Sequence, residues 1–106
     1  GLDLSQIENE ASMPGSYSLL QNYPNPFNPT TTLRYDLPEN SHVTITIYDM
    51  LGRKVKTLIN ETQDAGYRSI IWDATGNNGE RASAGIYLYQ IQAGEYMQTK
   101  KMVLLK

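Results

Sequence analysis

An all-β fold, an antiparallel immunoglobulin-like β-sandwich of about seven strands, is predicted by three features of this 106-residue chain. Beyond Ser16 the apolar residues recur with a period of two and show no helical period. Clusters of Gly, Asn, Asp, Pro and Ser interrupt that alternation about every 8–12 residues. Threonine, β-branched and aromatic residues fill the segments between them, as a pleated, half-buried surface favours. A chain of this length supports one core and hence one domain. Residues 1–16 are expected to be a linker or frayed lead-in, and residues 17–106 the sandwich.

In the lead-in, Ser5-Gln6-Ile7-Glu8 fits a capping box and predicts one helical turn from Asp3 to Ala11, ended by Met13-Pro14-Gly15-Ser16. Tyr17 to Leu20 reads as a short edge strand. Gln21 to Pro29 then packs three of the five prolines and three asparagines around two aromatic rings. Each proline sets φ at about −65° and pushes the preceding residue toward extended geometry. This stretch cannot be helix, and it lacks the donors of a central strand. It is expected to be a stiff strap with Tyr23 and Phe27 available to pin it to an apolar surface, at the least ordering the N-terminal edge of the fold.

Thr31 to Leu37 places Leu33, Tyr35 and Leu37 on one face and Thr32, Arg34 and Asp36 on the other. After the turn Pro38-Glu39-Asn40-Ser41, His42 to Tyr48 repeats the alternation with Val43, Ile45 and Ile47 inward. Asp49-Met50-Leu51-Gly52-Arg53 turns the chain, with Gly52 able to take positive φ. Lys54 to Ile59 is the next strand, anchored by Val55 and Leu58, and Asn60 to Gly66 reads as a polar loop. Tyr67 to Asp73 follows, with Ile70 and Trp72 on one face, and the single tryptophan is the candidate for the centre of the core. Ala74 to Glu80 is dense in turn formers. Gly85 to Gln92 directs Tyr87, Tyr89 and Ile91 to one side. Ala93-Gly94-Glu95 is a tight hairpin into the last strand, Tyr96 to Leu105.

Composition excludes several functions. The formal net charge is −2, with no basic stripe to neutralise phosphates, so nucleic acid is not an expected partner. The charge is uneven: Asp3, Glu8 and Glu10 make the start acidic, and Lys100, Lys101 and Lys106 make the end basic. Such asymmetry marks either solvated surface or a tail that a partner reads. With no cysteine, disulfides and thiolate metal sites are impossible, although the compartment stays open. No apolar run is long enough for a membrane span, and there is no basic–apolar leader. The chain begins at Gly1 and is expected to be a piece of a larger protein, or to carry a short scar; a signal peptide would lie upstream.

No catalytic constellation is visible, so no enzyme activity and no cofactor are expected. His42, the only histidine, heads a strand without partners for chemistry. The serines lack an adjacent base, and the carboxylates are not paired on a face. Asp73, Asn77, Asn78 and Glu80 ring a glycine-containing loop with oxygen ligands for calcium, but without the spacing of an EF-hand. It reads as a weak calcium candidate beside an ordinary turn. Asn60-Glu61-Thr62 matches a glycosylation acceptor and reads as a chance match. Of eight tyrosines, Tyr35, Tyr87 and Tyr89 belong inside with their hydroxyls partnered, whereas Tyr48, Tyr67 and Tyr96 would have to share one exposed face to make a carbohydrate platform.

Five segments in order carry a resemblance. They are Asn22-Tyr23-Pro24-Asn25-Pro26-Phe27-Asn28-Pro29-Thr30-Thr31, Ile47-Tyr48-Asp49-Met50-Leu51-Gly52-Arg53-Lys54-Val55, Ile71-Trp72-Asp73, Gly85-Ile86-Tyr87-Leu88-Tyr89, and Gln98-Thr99-Lys100-Lys101-Met102-Val103-Leu104-Leu105-Lys106. Over about Tyr17 to Lys106 the chain resembles the type A C-terminal sorting domains of the type IX (Por) secretion system, and the related Ig-like domain of flagellar hook-capping proteins. The resemblance implies a non-enzymatic domain of a bacterial protein, carried behind an upstream cargo and recognised by the outer-membrane translocon. A sortase-like surface peptidase would be a further partner, and the cargo would be secreted or held at the outer-membrane surface, having passed through the periplasm.

By the same resemblance Lys100, Lys101, Val103, Leu104 and Lys106 carry the sorting role. Pro24, Asn25, Pro26, Phe27, Gly52, Arg53, Trp72, Gly85 and Tyr87 fall at positions that look structural. Ala74 departs from the glycine the family commonly has after Trp-Asp, which puts that turn's geometry in question. The last strand ends at the C-terminus, so no later element is expected to hold it, and its edge would offer unpaired backbone groups to a partner. It would equally serve as the closing strand of the sandwich. Two other readings stay open: an Ig-like accessory module binding carbohydrate or a surface partner, and a structural assembly domain. A monomer is expected.

Overall fold

The computed structural model describes residues 13–105. The lead-in helical turn predicted from Asp3 to Ala11 therefore lies outside the described residues, as does Lys106. Seven strands follow one another: β1 Ser18–Leu19, β2 Thr31–Leu37, β3 Ser41–Tyr48, β4 Lys54–Gln63, β5 Gly66–Trp72, β6 Gly85–Ala93 and β7 Tyr96–Leu104. They form two antiparallel sheets, β1-β2-β5 and β4-β3-β6-β7, packed as a sandwich. The period-two reading is borne out in β2, where Leu33, Tyr35 and Leu37 are buried and Arg34 between them is exposed.

One predicted loop is strand instead. Asn60 to Gln63 extends β4 and pairs with Ser41 to Thr44 of β3. The segment looks loop-like in sequence because β4 is an edge strand, where polar side chains are cheap to leave in water. His42 Nε2 and Asn60 Oδ1 meet at 2.7 Å across the pair, on exposed surface. The connection to β5 shortens to Asp64 and Ala65.

The β3–β4 ladder also explains why the two anchors of β4 stand three apart. Ile45 pairs with Ile59 and Thr46 with Thr57, then Ile47 with Lys56 and Tyr48 with Lys54. Leu58 and Val55 are the residues left over at these two irregularities. Each extra residue reverses the alternation once, so both side chains pack against the core.

The core centres on Trp72 as expected. Its indole lies 5.8 Å from the Phe27 ring and 5.4 Å from the Tyr87 ring, centroid to centroid, the latter edge-on. Trp72 Nε1 donates to the Thr75 carbonyl at 2.9 Å. Each buried tyrosine hydroxyl finds a partner: Tyr35 donates to Gln63 Oε1, Tyr87 to the Ser83 carbonyl and Tyr89 to the Leu20 carbonyl. Burial raises all three phenols above the ordinary tyrosine value.

Strand direction gives the sandwich two distinct poles. At one, Tyr17 stacks on Tyr96 at 5.4 Å and shares a 2.8 Å hydrogen bond with Ser41, beside the β6–β7 hairpin. The chain enters the fold there. At the other lie the β3–β4 turn, the 73–84 loop, Phe27 and the end of β7.

Candidate functional site

The last strand and the strap form one unit. β7 is an edge of its sheet, pairing with β6 from Ala93↔Tyr96 to Gly85↔Leu104. Its outward backbone groups are not open at the C-terminal end, contrary to the sequence expectation. Phe27 N donates to the Val103 carbonyl at 3.0 Å, and Leu105 N donates to the Phe27 carbonyl at 2.8 Å. Between them Val103 N donates to Asn25 Oδ1 at 2.9 Å, and Gln21 Nε2 donates to the Lys101 carbonyl. An element earlier in the chain thus seals the edge from Lys101 to Leu105, because a proline-rich segment can offer carbonyls and an asparagine side chain where it has few N–H donors.

The strap is itself tied to both sheets. Tyr23 exchanges backbone hydrogen bonds with Thr32 of β2, at 3.0 and 2.9 Å. Asn22, 2% exposed, donates its backbone N–H to the Tyr89 hydroxyl from the opposite sheet, and its Nδ2 to Thr31 Oγ1. Thr31 Oγ1 in turn donates to the Pro24 carbonyl at 2.8 Å. The peptide bonds before Pro24, Pro26 and Pro29 are cis. Of the two rings, Phe27 enters the core and Tyr23 stays in water. Nothing in residue type alone separates them, and the buried Asn22–Thr31 pair carries no sequence signal beyond the asparagine-rich run.

The residues assigned to sorting are divided between two faces. Leu104 is buried with Met102 in the core, whereas Lys101 and Val103 point to the outer face, and Lys100 sits half-buried at the rim of the inward row. Leu105 continues the outer row, 50% exposed.

The turn before β4 is closed as the sequence suggested. Gly52 has φ of +82°. Asp49 Oδ1 accepts from Leu51 N and Arg53 N, both at 2.9 Å, and Oδ2 pairs with Arg53 Nε at 2.8 Å. The Arg53 backbone N–H is the main reason the Asp49 carboxyl sits below the ordinary carboxylate range. Met50 and Leu51 are displayed at its tip, both largely exposed. Gly85 and Ala74 also take positive φ, +150° and +65°. Ala74 therefore adopts, with a methyl group, the left-handed conformation a glycine would accept freely.

Three of the four side chains considered for calcium accept backbone hydrogen bonds, two within the loop and one from β4. Asp73 Oδ1 accepts from Thr75 N, Asn77 Oδ1 from Thr57 N, and Asn78 Oδ1 from Glu80 N. The Thr75 hydroxyl bond is the first reason Asp73 is held below the usual carboxylate range. Among the described residues no group of three His, Cys, Asp or Glu side chains is placed to hold a metal ion. The tyrosines considered for carbohydrate are dispersed: Tyr67 faces outward on the β1-β2-β5 sheet, Tyr48 on the other sheet, and Tyr96 stacks on Tyr17. No helix among the described residues is long and apolar enough to cross a membrane.

This architecture recurs in known proteins. Dimeric latent PorU from Porphyromonas gingivalis matches 86% of this chain with a TM-score of 0.67 and 24% identity. FlgD from P. aeruginosa matches 70% with a TM-score of 0.56 and 27% identity. PorZ, described as an essential surface component of the type-IX secretion system of P. gingivalis, matches 91% with a TM-score of 0.55 and 18% identity. The chain spans 10% of PorU, 58% of FlgD and 12% of PorZ, and for PorU and PorZ the likeness is one of fold. No curated protein sequence matches it. Residues 27–96 match the family model described as the FlgD Ig-like domain, which is well over half of the sequence, and the chain belongs to that family.

Proposed function

We propose that this chain is a folded, non-enzymatic sorting domain that directs an upstream cargo through the outer membrane by type IX secretion, to the surface or the medium. The observation that carries the reading is the placement of the last strand. The chain enters at the Tyr17 pole, and β7 ends at the opposite pole, where Lys101, Val103 and Leu105 project outward. A cargo joined at the entry pole would leave the far pole free for a translocon, with a surface peptidase as a later partner. The fold shared with PorU and PorZ supports the same reading.

In this reading Lys100, Lys101 and Lys106 supply charge and Val103 outward apolar surface, while Leu104 holds the strand in place. Deleting Lys100 to Lys106 is a poor test, since it removes the core residues Met102 and Leu104. The better one fuses residues 1–106 behind a periplasmic signal peptide and a fluorescent reporter, in a bacterium with type IX machinery. The fusion should reach the surface or medium, and Lys100→Glu with Lys101→Glu should leave a folded product in the periplasm. A wild-type fusion retained in the periplasm overturns the proposal; a double variant exported normally removes the lysines from it.

Membership in the FlgD Ig-like family favours one second reading, a structural assembly domain. Reversible self-association at micromolar concentration in sedimentation would support it, and a clean monomer would count against it.

A further inference from the structure

We infer that the open edge of β5 pairs with β5 of a second copy of this chain, antiparallel and centred on Ser69, joining two sandwiches into a two-fold dimer. The inference rests on neither functional reading above. Four strands stand at sheet edges, and three of them are guarded. The strap bonds to β7 from Lys101 to Leu105. Asn77 lies along β4, its N–H donating to the Val55 carbonyl and its Oδ1 accepting from Thr57 N, and two register shifts bend that strand. β1 is only two residues long. β5 instead runs seven residues against β2 in unbroken register, with no proline. A regular, uncovered edge is a template for another strand.

Which groups of β5 are open follows from the other side of β2. Thr32 exchanges backbone hydrogen bonds with Tyr23, and the Arg34 carbonyl accepts from Leu20 N, so both residues turn their peptide groups toward the strap and β1. These directions alternate along an antiparallel strand. Thr31, Leu33, Tyr35 and Leu37 therefore bond to Trp72, Ile70, Arg68 and Gly66, their partners in the ladder. That leaves Tyr67, Ser69 and Ile71 with N–H and C=O directed away from the sheet, and no described residue bonds to them.

The spacing of these three residues selects the occupant, because it is complementary to itself. With a two-fold axis at Ser69, Tyr67 faces Ile71 of the second copy, Ser69 faces Ser69 and Ile71 faces Tyr67. Each pair then exchanges both backbone hydrogen bonds. An axis at Arg68 or Ile70 would leave one of the three unmatched, and the first would set two arginines opposite each other. Tyr67 and Ile71 are 60% and 63% exposed, and an aromatic ring opposite a β-branched residue stabilises a strand pair. Arg68, the one charge in the strand, is turned back, its Nε donating to the Asp64 carbonyl at 2.8 Å, and it would stand opposite Ile70. The axis also reverses the poles. β4, joined to β5 through Asp64 and Ala65, carries Lys54 and Lys56 toward one pole and Glu61 toward the other, so the basic end of each copy comes beside the acidic end of its partner. The monomer expected from the sequence is then the dilute form.

The test is sedimentation equilibrium of the 106-residue chain, joined to amide exchange. Up to millimolar concentration the chain should fit a monomer and a dimer with no larger species, since a two-fold contact closes on itself. Exchange at Tyr67, Ser69 and Ile71 should slow as concentration rises. Association through another surface, which the assembly reading alone allows, would leave those amides fast. Tyr67→Lys with Ile71→Lys sets like charges opposite each other across the axis and should raise the dissociation constant about tenfold or more. Tyr67→Glu with Ile71→Lys sets opposite charges at the same pairs and should keep the dimer. Unchanged Trp72 fluorescence would show both variants folded. A monomer throughout, a dimer in which those three amides stay fast, or equal association by the two double variants would each overturn the inference.

Discussion

Tyr23 and Phe27 belong to one strap and stand four residues apart, yet Phe27 is 1% exposed and Tyr23 79%. Phe27 sits where the strap bridges to the end of β7, and its ring fills the space beside Trp72. Tyr23 sits where the strap pairs with β2, and its backbone alone makes the attachment. The same segment therefore closes the core with one ring and displays the other. The run serves both ends because its prolines restrict its backbone while Asn22, Thr31 and Tyr89 tie it between the two sheets.

If that contrast is right, Phe27→Ala should be the most damaging single change, costing about 3–5 kcal/mol as a large buried ring lost from a core does. Urea unfolding followed by Trp72 fluorescence reads it, and a loss no larger than that of an exposed residue would break the comparison. Tyr89→Phe should come next. It removes the hydroxyl that accepts from Asn22 N and donates to the Leu20 carbonyl, leaving buried groups unpaired at about 1–3 kcal/mol. Asn25→Ala should cost about 1 kcal/mol, one ordinary hydrogen bond. Its signature is local: amide exchange at Val103 should quicken while that of core β6 amides holds.

The β3–β4 turn repeats the contrast on a smaller scale, with Met50 and Leu51 displayed above a carboxylate that closes the turn beneath them. Asp49 is held below its ordinary value in the folded chain, chiefly by the Arg53 N–H. Its contribution is therefore complete above the ordinary carboxylate range and is lost as pH falls through the lowered folded value. Acid titration of stability should be shallower in Asp49→Asn over that window; an identical pH profile would remove the turn from the comparison. Smallest of all, Tyr23→Ala should change stability by less than about 0.5 kcal/mol, as exposed substitutions do.

Alternation, turn residues and the inward tyrosines were readable along the chain, because a residue's side of a strand depends only on its own position and its neighbours'. That is why β2 was placed to the residue and the sandwich was legible, together with Trp72 as its centre and Gly52 at its turn. Two features were hidden. Asn60 to Gln63 look like a loop until β3 lies beside them, since an edge strand facing water has little apolar pattern to show. The edge of β7 looked free because its cover, Gln21 to Phe27, lies far earlier in the sequence. Likewise Arg34 is one exposed cation in a strand until the strap sets Tyr23 beside it and β5 sets Tyr67 on its other flank. Local chemistry determined the strands; which strand edges stay open, and which side chains share a surface, depends on contacts between distant segments that only the folded chain creates.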